Sequence, residues 1–277
     1  MSGLWIMAGV TFREAARRKI LWTAILAGAA FLALFATGLH FQVKDSGAHA
    51  VPQLIRNQVQ AAMLQIGFYA VNLLAVVMTI LTSVDTLSGE ISSGTIQAIA
   101  TKPLSRWEIL MGKWIGFGGM IAIYLAGMFG GVAAVGYLIA GVRAHNTLTG
   151  ALLVYLECML LLTVTFACGT KFSTLTNGVI VLGLHGLAFI GGWIEQIGAL
   201  TTSPRLETLG IVSSLLMPSE SLWRRASFEM QSSLTRSLQF SPFSSASAPS
   251  GAMVGYASFY LLVALAIALY NFRERDL

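Results

Sequence analysis

Charged residues are scarce in this sequence. Asp, Glu, Lys and Arg make up 10% of its 277 residues, whereas hydrophobic residues make up 56%. Soluble domains typically carry about 25% charged residues, so the composition excludes an ordinary water-soluble globule. Several apolar runs reach the roughly 20 residues that a helix needs to cross the hydrocarbon layer of a bilayer. The sequence therefore predicts an all-α integral membrane protein.

Cysteine is scarce too. Cys158 and Cys168 lie in one apolar run, which argues against a disulfide framework or a zinc site. We interpret both as small packing residues. The net charge of +5 would suggest a nucleic-acid partner in a soluble protein. In a membrane protein it is typical of Lys and Arg gathered at the cytoplasmic face, and we expect no nucleic acid to bind.

Sequence motifs of common catalytic sites are missing. The pair Gly112-Lys113 is followed by Trp114 and has no glycine five residues before Gly112, so the chain has no P-loop for a nucleotide. It has no H-E-x-x-H zinc motif and no Gly-x-Ser-Gly run. We expect neither catalysis nor a cofactor or metal site in this chain.

Six apolar stretches are long enough to cross a membrane, and the whole chain (1–277) is predicted to be one transmembrane domain. An amphipathic helix is expected over residues 53–66, just before the second span. A long segment, 198–251, separates the last two spans. The predicted spans cover about residues 20–39, 67–84, 114–141, 148–169, 175–197 and 252–272.

The distribution of Lys and Arg predicts the orientation. The side that holds both termini carries ten of these residues in its short segments, and the opposite side carries three. Cytoplasmic loops are the basic ones, so we expect a protein of the cytoplasmic membrane with both termini in the cytoplasm. Segment 198–251 is then extracytoplasmic, although its Arg224–Arg225 pair runs against this assignment.

The N-terminal residues 3–19 predict an amphipathic helix that lies in the membrane interface. Apolar side chains, including Trp5, fall on one side, and Arg13 and Arg17 lie near the end. Such a helix suits the lipid headgroup region. The alternative is an ordinary basic flank of the first span.

Between the second and third spans lies a polar segment, residues 85–113, which is too long for a plain turn. Its Gly and Pro residues predict short helices separated by breaks. Because the segment is predicted to be cytoplasmic, we interpret it as the surface that receives force from a cytoplasmic partner. The residues that stand out are Glu90, Gly94, Thr95, Pro103 and Arg106.

A few polar residues fall inside predicted spans. Glu157 lies near the middle of the fourth span, where an ionised carboxylate costs roughly 2.5–3.5 kcal/mol. It is interpreted either as a protonatable group on a translocation path or as a partner in an interhelical hydrogen bond. For Asn72 and His185 the two alternatives are a contact with substrate on a translocation path and a structural hydrogen bond between helices. Glu195 and Gln196, near the outer end of the fifth span, are expected at a solvated rim, the alternative being the border of an exit.

The residues 89–114, GEISSGTIQAIATKPLSRWEILMGKW, are similar to the cytoplasmic segment between spans two and three of ABC-2-type permeases, the membrane subunits of one class of ABC transporter. The family pattern has an acidic residue, Gly-Thr, a short helix, a Pro-Ser/Thr-Arg turn and a Lys that opens span three. The matching residues are Glu90, Gly94, Thr95, Pro103, Ser105, Arg106 and Lys113. Residues 3–19 resemble the family's elbow helix.

The resemblance implies a partner and a mechanism. Two copies of this chain, or this chain with a related one, would pair with two separately encoded cytoplasmic ATPase subunits, which would bind ATP and Mg²⁺. Residues within 85–113 would form the coupling helix seated on the ATPase, and ATP-driven closure would open an outward path. Segment 198–251 is longer than the family's usual outer hairpin. It could dock an extracytoplasmic protein, as in the permeases that serve maturation of periplasmic copper enzymes.

Two other functions remain open at the level of sequence. The chain could transmit ATPase strokes to an outer partner without moving anything through itself. It could also be an intramembrane hydrolase that uses Glu157 and His185. The sequence does not name a cargo.

Overall fold

The computed structural model describes residues 3–17, 19–48, 52–93, 105–231 and 249–274, and the regular elements in these ranges are all α-helices. Several helices begin or end at Pro, Gly or Ser residues, among them Pro52, Gly141 and Ser105. In chain order they are α1 Gly3–Arg17, α2 Lys19–Ala48, α3 Gln53–Ser92, α4 Arg106–Ala140, α5 Thr147–Gly169, α6 Thr174–Leu200, α7 Pro204–Leu216, α8 Ser219–Met230 and α9 Gly251–Glu274.

Six of these helices are long and apolar enough to cross a membrane: α2, α3, α4, α5, α6 and α9. This confirms the prediction of a multi-pass, all-helical membrane protein. Burial differs among the spans. Buried residues make up 61% of the apolar stretch in α3 and in α5, but only 17% in α2. The bundle is therefore built around α3 and α5.

The predicted boundaries were wrong around the central polar segment. Residues 53–66 and the second span form one continuous helix, α3, which runs through Gly89 to Ser92. A single glycine inside a helix costs only about 1 kcal/mol, so it does not break a helix that neighbouring spans support. On the other side, α4 begins at Arg106 and not at 114. Residues 94–104 lie outside the described part of the chain.

Helix α1 packs closely on the first half of α4. A Cβ atom at Gly112 would lie 2.5 Å from Cβ of Met7, and one at Gly116 would lie 2.8 Å from the carbonyl oxygen of Ala8. Small residues allow this approach of two helix backbones. The predicted N-terminal helix is thus present, and its location in the membrane interface stays a prediction.

Contacts between helix termini show which helix ends lie together at one end of the bundle. Thr174, at the start of α6, donates a hydrogen bond to Asp85 near the end of α3. Arg106, at the start of α4, donates to the carbonyl oxygen of Arg273 in the last turn of α9. These contacts place the edges of segment 94–104 beside α6 and α9. Helices α7 and α8 follow the other end of α6, so they lie at the opposite end of the bundle.

Within 198–251, helices α7 and α8 pack against the spans. A Cβ atom at Gly210 of α7 would lie 2.3 Å from Cβ of Glu195 on α6. Helix α8 has a hydrophilic sequence, SESLWRRASFEM, yet nine of its twelve residues are buried. A polar helix is buried at low cost only if its polar groups find partners.

Candidate functional site

A row of polar side chains follows one face of α3. The residues recur at spacings of three and four, the period of a single helical face, with Val76 filling the one apolar position. Most are buried, and the hydroxyls of Ser83 and Thr86 donate to carbonyl oxygens one turn earlier, as Ser and Thr commonly do within helices. We call this row the α3 polar stripe: Gln65, Tyr69, Asn72, Thr79, Ser83, Thr86 and Glu90.

Glu157 of α5 faces the middle of the α3 polar stripe. Its side chain is fully buried, and it lies beside the amide of Asn72 and near Tyr69. Neither carboxylate oxygen accepts a well-formed hydrogen bond from the described residues. The structure thus brings together Asn72 and Glu157, two of the three residues that the sequence placed on a translocation path.

Helix α8 covers this site at the end of the bundle where α7 lies. Arg224 donates two hydrogen bonds, of 2.7 and 2.8 Å, to the carboxylate of Glu195 on α6. The prediction that Glu195 sits at a solvated rim was therefore wrong. Glu195 is only 9% exposed, because α8 packs over it. Arg224 of α8 supplies the guanidinium that a buried carboxylate needs.

Further polar contacts hold α8 to the spans. Gln65 of the α3 polar stripe donates to the hydroxyl of Ser227 over 2.6 Å. Nδ1 of His185 on α6 lies 2.9 Å from the hydroxyl oxygen of Ser219. Of the three predicted path residues, His185 is thus engaged by α8, and no hydrogen bond joins it to Glu157. This arrangement does not support a Glu157–His185 catalytic pair.

Glu220 lies on α8, one turn before Arg224. It is near enough to Glu157 for electrostatic interaction. Burial raises the pKa of Glu220 to about 8, and the nearby guanidinium of Arg224 opposes this rise. A carboxyl group with such a pKa can gain or lose a proton near neutral pH.

The other end of the α3 polar stripe closes with an ion pair. Nζ of Lys113 on α4 lies 2.5 Å from Oε1 of Glu90, and the lysine side chain is 2% exposed. Ser105 precedes α4, and both its backbone N–H and its hydroxyl donate to Glu108, which caps the helix. The end of α3 and the first turns of α4, which flank residues 94–104, are therefore joined by the ion pair. The predicted coupling residues Gly94, Thr95 and Pro103 lie outside the described residues.

Two cavities flank the bundle. The first, of about 340 Å³, lies beside the α8 end of the α3 polar stripe, and its polar lining includes Gln60, Gln65, Arg143 and His145. The second, of about 350 Å³, is apolar and lies between α1, α2 and α4. Among the described residues, no group of three His, Cys, Asp or Glu side chains is placed to hold a metal ion.

Sequence reasoning missed most of the α3 polar stripe and the Glu195–Arg224 pair. The stripe could have been recognised in the sequence, because its members recur at spacings of three and four along the second span. The ion pair had none, because its residues are 29 positions apart and belong to helices of different character.

Comparison with known proteins points to a transporter. The model of the ABC-2 family transporter protein matches residues 5–277. The chain is also 29% identical over 144 residues to the probable ABC transporter permease protein NosY of Stutzerimonas stutzeri. That alignment covers 52% of this chain and 49% of the relative, so the chain spans about half the length of the curated relative that it matches.

Proposed function

Because the chain belongs to the ABC-2 transporter family, whose members are membrane subunits of ABC transporters, we propose that it is an export permease driven by separate ATPase subunits. These partners would bind ATP and Mg²⁺, and this chain would supply no nucleotide site. The proposal places the protein in the cytoplasmic membrane with both termini in the cytoplasm and segment 94–104 facing the ATPase.

The ion pair between Glu90 and Lys113 carries the coupling part of this proposal. It joins α3 to α4 at the two edges of segment 94–104, where both side chains are largely removed from water. Arg106 extends the connection to the last turn of α9. A force on segment 94–104 would therefore move the ends of α3, α4 and α9 together, as a closing ATPase pair requires.

The α3 polar stripe supports a path through the subunit. It runs from the Glu90–Lys113 pair to the polar cavity beside Gln65. Ionisable groups inside a bundle of spans commonly mark a substrate or ion pathway, and Glu157 faces this stripe. Separation of α3 from α5 would expose the stripe and Glu157, and displacement of α8 would open its far end.

The test uses the permease reconstituted with its ATPase in proteoliposomes. Arg106→Ala, or the double change Glu90→Gln/Lys113→Met that leaves no buried charge unpaired, should lower the permease-dependent stimulation of ATP hydrolysis while the subunits still assemble. Lys171→Met is the matched control, because Lys171 is an exposed cation in the connection between α5 and α6 on the same predicted side. Unchanged stimulation in both test variants would contradict the coupling assignment.

Assembly with a second copy of this chain is part of the same proposal. Helix α2 is the least buried span and presents large apolar side chains, including Trp22, Leu26 and Leu34, on its outer surface. Lipid or a second permease can cover such a face. Crosslinking between single cysteines introduced at Leu26 or Leu34 would distinguish the two.

One observation favours a second candidate function, transmission of ATPase strokes to an outer protein. Helix α8 closes the end of the α3 polar stripe and is held there by the buried Glu195–Arg224 pair. A stroke that moved α8 could be passed to a protein docked on 198–251. The test is to crosslink α8 to α6 through introduced cysteines. If the crosslink blocks the ATP-dependent action on an outer partner protein and leaves transport of cargo unchanged, this second function is correct.

A further inference from the structure

The polar cavity of about 340 Å³ lies between the first half of α3, the connection from α4 to α5, and the last residue of α8. Among the described residues that line it there is no Asp or Glu. A cavity that holds amides and a cation but no carboxylate favours an anion over a cation. The polar residues of the lining are Asn57, Gln60, Gln65, Arg143 and His145.

Gln60 brings a buried amide to this cavity. The residue is only 4% exposed, and its side chain forms no hydrogen bond with another described residue. Its neighbour in the lining, Gln65, is held in place by the 2.6 Å hydrogen bond to Ser227. A buried amide without a partner costs free energy. A ligand that accepts a hydrogen bond from Gln60 would therefore be bound more tightly.

Arg143 places a positive charge at the open side of the cavity. Gly141 ends α4 with a left-handed backbone (φ +68°), and residues 142–145 then line the same cavity as α3. The guanidinium carbon of Arg143 lies 5.7 Å from the centre of the Tyr137 ring, which orients the side chain. No described carboxylate forms a salt bridge with Arg143. His145, also exposed, adds a ring nitrogen on the same side.

We propose that this cavity binds a phosphate group, with Arg143 pairing with its oxygens at the open side and the Gln60 amide donating to it from the inside. The planar fork of N–H donors on arginine matches phosphate oxygens. A carboxylate presents two oxygens in one plane, whereas a phosphate presents oxygens in several directions. The donors of this cavity come from two directions, α3 and the connection after α4, so they suit a phosphate better.

The phosphate can belong to a free ion or to the headgroup of a phospholipid, since both present the same chemistry. Basic pockets between membrane spans are known to hold lipid headgroups, and this cavity lies at one end of the bundle, where the spans leave the hydrocarbon layer. The inference does not depend on the direction of transport or on the ATPase partner.

The experiment measures phosphate binding by the full-length protein in a neutral detergent. In one arm, isothermal titration calorimetry follows the binding of inorganic phosphate, and sodium acetate at equal ionic strength is the control anion. In the other arm, native mass spectrometry counts retained phosphatidylglycerol molecules, and diacylglycerol with the same acyl chains is the control that lacks phosphate. Saturable binding of inorganic phosphate identifies a site for the free ion. Retention of the lipid alone identifies a site for the headgroup.

Three variants locate the site. Arg143→Gln should weaken binding by about tenfold or more, because it removes charge-assisted hydrogen bonds. Gln60→Leu keeps the size of the side chain and removes the amide, so it should weaken binding by about fivefold. Arg205→Gln is the matched control and should leave binding unchanged, since Arg205 is an exposed cation on α7 that does not line the cavity.

The proposal is overturned if neither inorganic phosphate nor phosphatidylglycerol binds, if acetate or diacylglycerol binds equally well, or if Arg205→Gln weakens binding as much as Arg143→Gln. Unchanged binding in Gln60→Leu would also overturn it, because the anion would then lie on the surface beside Arg143 and not in the cavity. Arg143 is exposed, so its replacement should leave the unfolding midpoint unchanged. The test therefore stands even if Gln60→Leu fails to fold.

Discussion

Lys113 and Glu90 form an ion pair of 2.5 Å between α4 and α3, and the lysine side chain is almost completely buried. The pair closes the polar face of α3 at the end of the helix that precedes residues 94–104. It lies between the two helices that the proposed coupling mechanism moves as one body.

Removing one partner of this pair should destabilise the protein strongly. Lys113→Met leaves the Glu90 carboxylate without its cation, and breaking a buried pair in this way costs about 3 kcal/mol or more. The double variant Glu90→Gln/Lys113→Met removes both charges and should recover part of the loss. The midpoint of thermal unfolding in detergent measures the loss in the single variant and the recovery in the double variant. A double variant as unstable as the sum of its single changes would show that the pair does not couple the two helices.

The contact between α1 and α4 should be intolerant of a single methyl group. Gly116→Ala places a Cβ atom 2.8 Å from the carbonyl oxygen of Ala8, so α1 must shift, and we expect a lower unfolding midpoint. Gly130→Ala is the matched control on the same helix, because nothing lies within 4 Å of its added Cβ atom. That change should be neutral or stabilising by up to about 1 kcal/mol. Equal effects of the two changes would contradict the close packing of α1.

Helix α8 should depend on the Glu195–Arg224 pair. Arg224→Met leaves the buried Glu195 carboxylate without the two hydrogen bonds that it accepts, and we expect a loss of about 3 kcal/mol or more. Arg205→Met on α7 serves as the control, since that cation is exposed and exposed charges contribute little. Limited proteolysis should cut near α8 in the first variant. Protection equal to that of the control would refute the role of the pair.

Glu220 should make the stability of the protein depend on pH. Its pKa is raised by burial from an ordinary value of 4.5 to about 8. The folded state therefore binds the proton more tightly than the unfolded chain. The resulting stabilisation is fully present below about pH 4.5 and is lost as the pH rises to about 8, at roughly 1.4 kcal/mol per unit.

The comparison of wild type with Glu220→Gln isolates this contribution. The difference in unfolding midpoint between the two proteins should change steadily between about pH 5 and about pH 8 and level off above that range. Other groups that titrate in the same window cancel in the difference. A difference that stays constant with pH would mean that Glu220 is not a buried, proton-binding carboxyl group.

Part of the candidate site was visible in the sequence. Glu157 and Asn72 stood out because polar groups are rare inside long apolar runs, and the structure brings them together. Glu90 and Arg106 stood out beside Gly and Pro, and both anchor the edges of segment 94–104. The predictions for Gly94, Thr95 and Pro103 stay predictions, since these residues lie outside the described part of the chain.

Other features could not be read from the sequence for physical reasons. Helix α3 runs through Gly89 because the neighbouring helices stabilise it, and local propensity does not contain those contacts. Glu195 looked solvated because the helix that covers it follows later in the chain and is hydrophilic by composition. A polar helix becomes buried only when partners such as Gln65 and His185 are brought to it from distant spans.

The sequence by itself determined that this is a multi-pass membrane protein, whose described part has six helices long and apolar enough to cross a membrane, and, through one short motif, to which family it belongs. Both follow from local properties, namely the length of apolar runs and the order of residues in a single segment. Only the tertiary structure decided which charges are paired and which face one another. Hydrogen bonds and Coulomb interactions depend on distances of a few ångströms between residues that can be far apart along the chain, and those distances are set by helix packing.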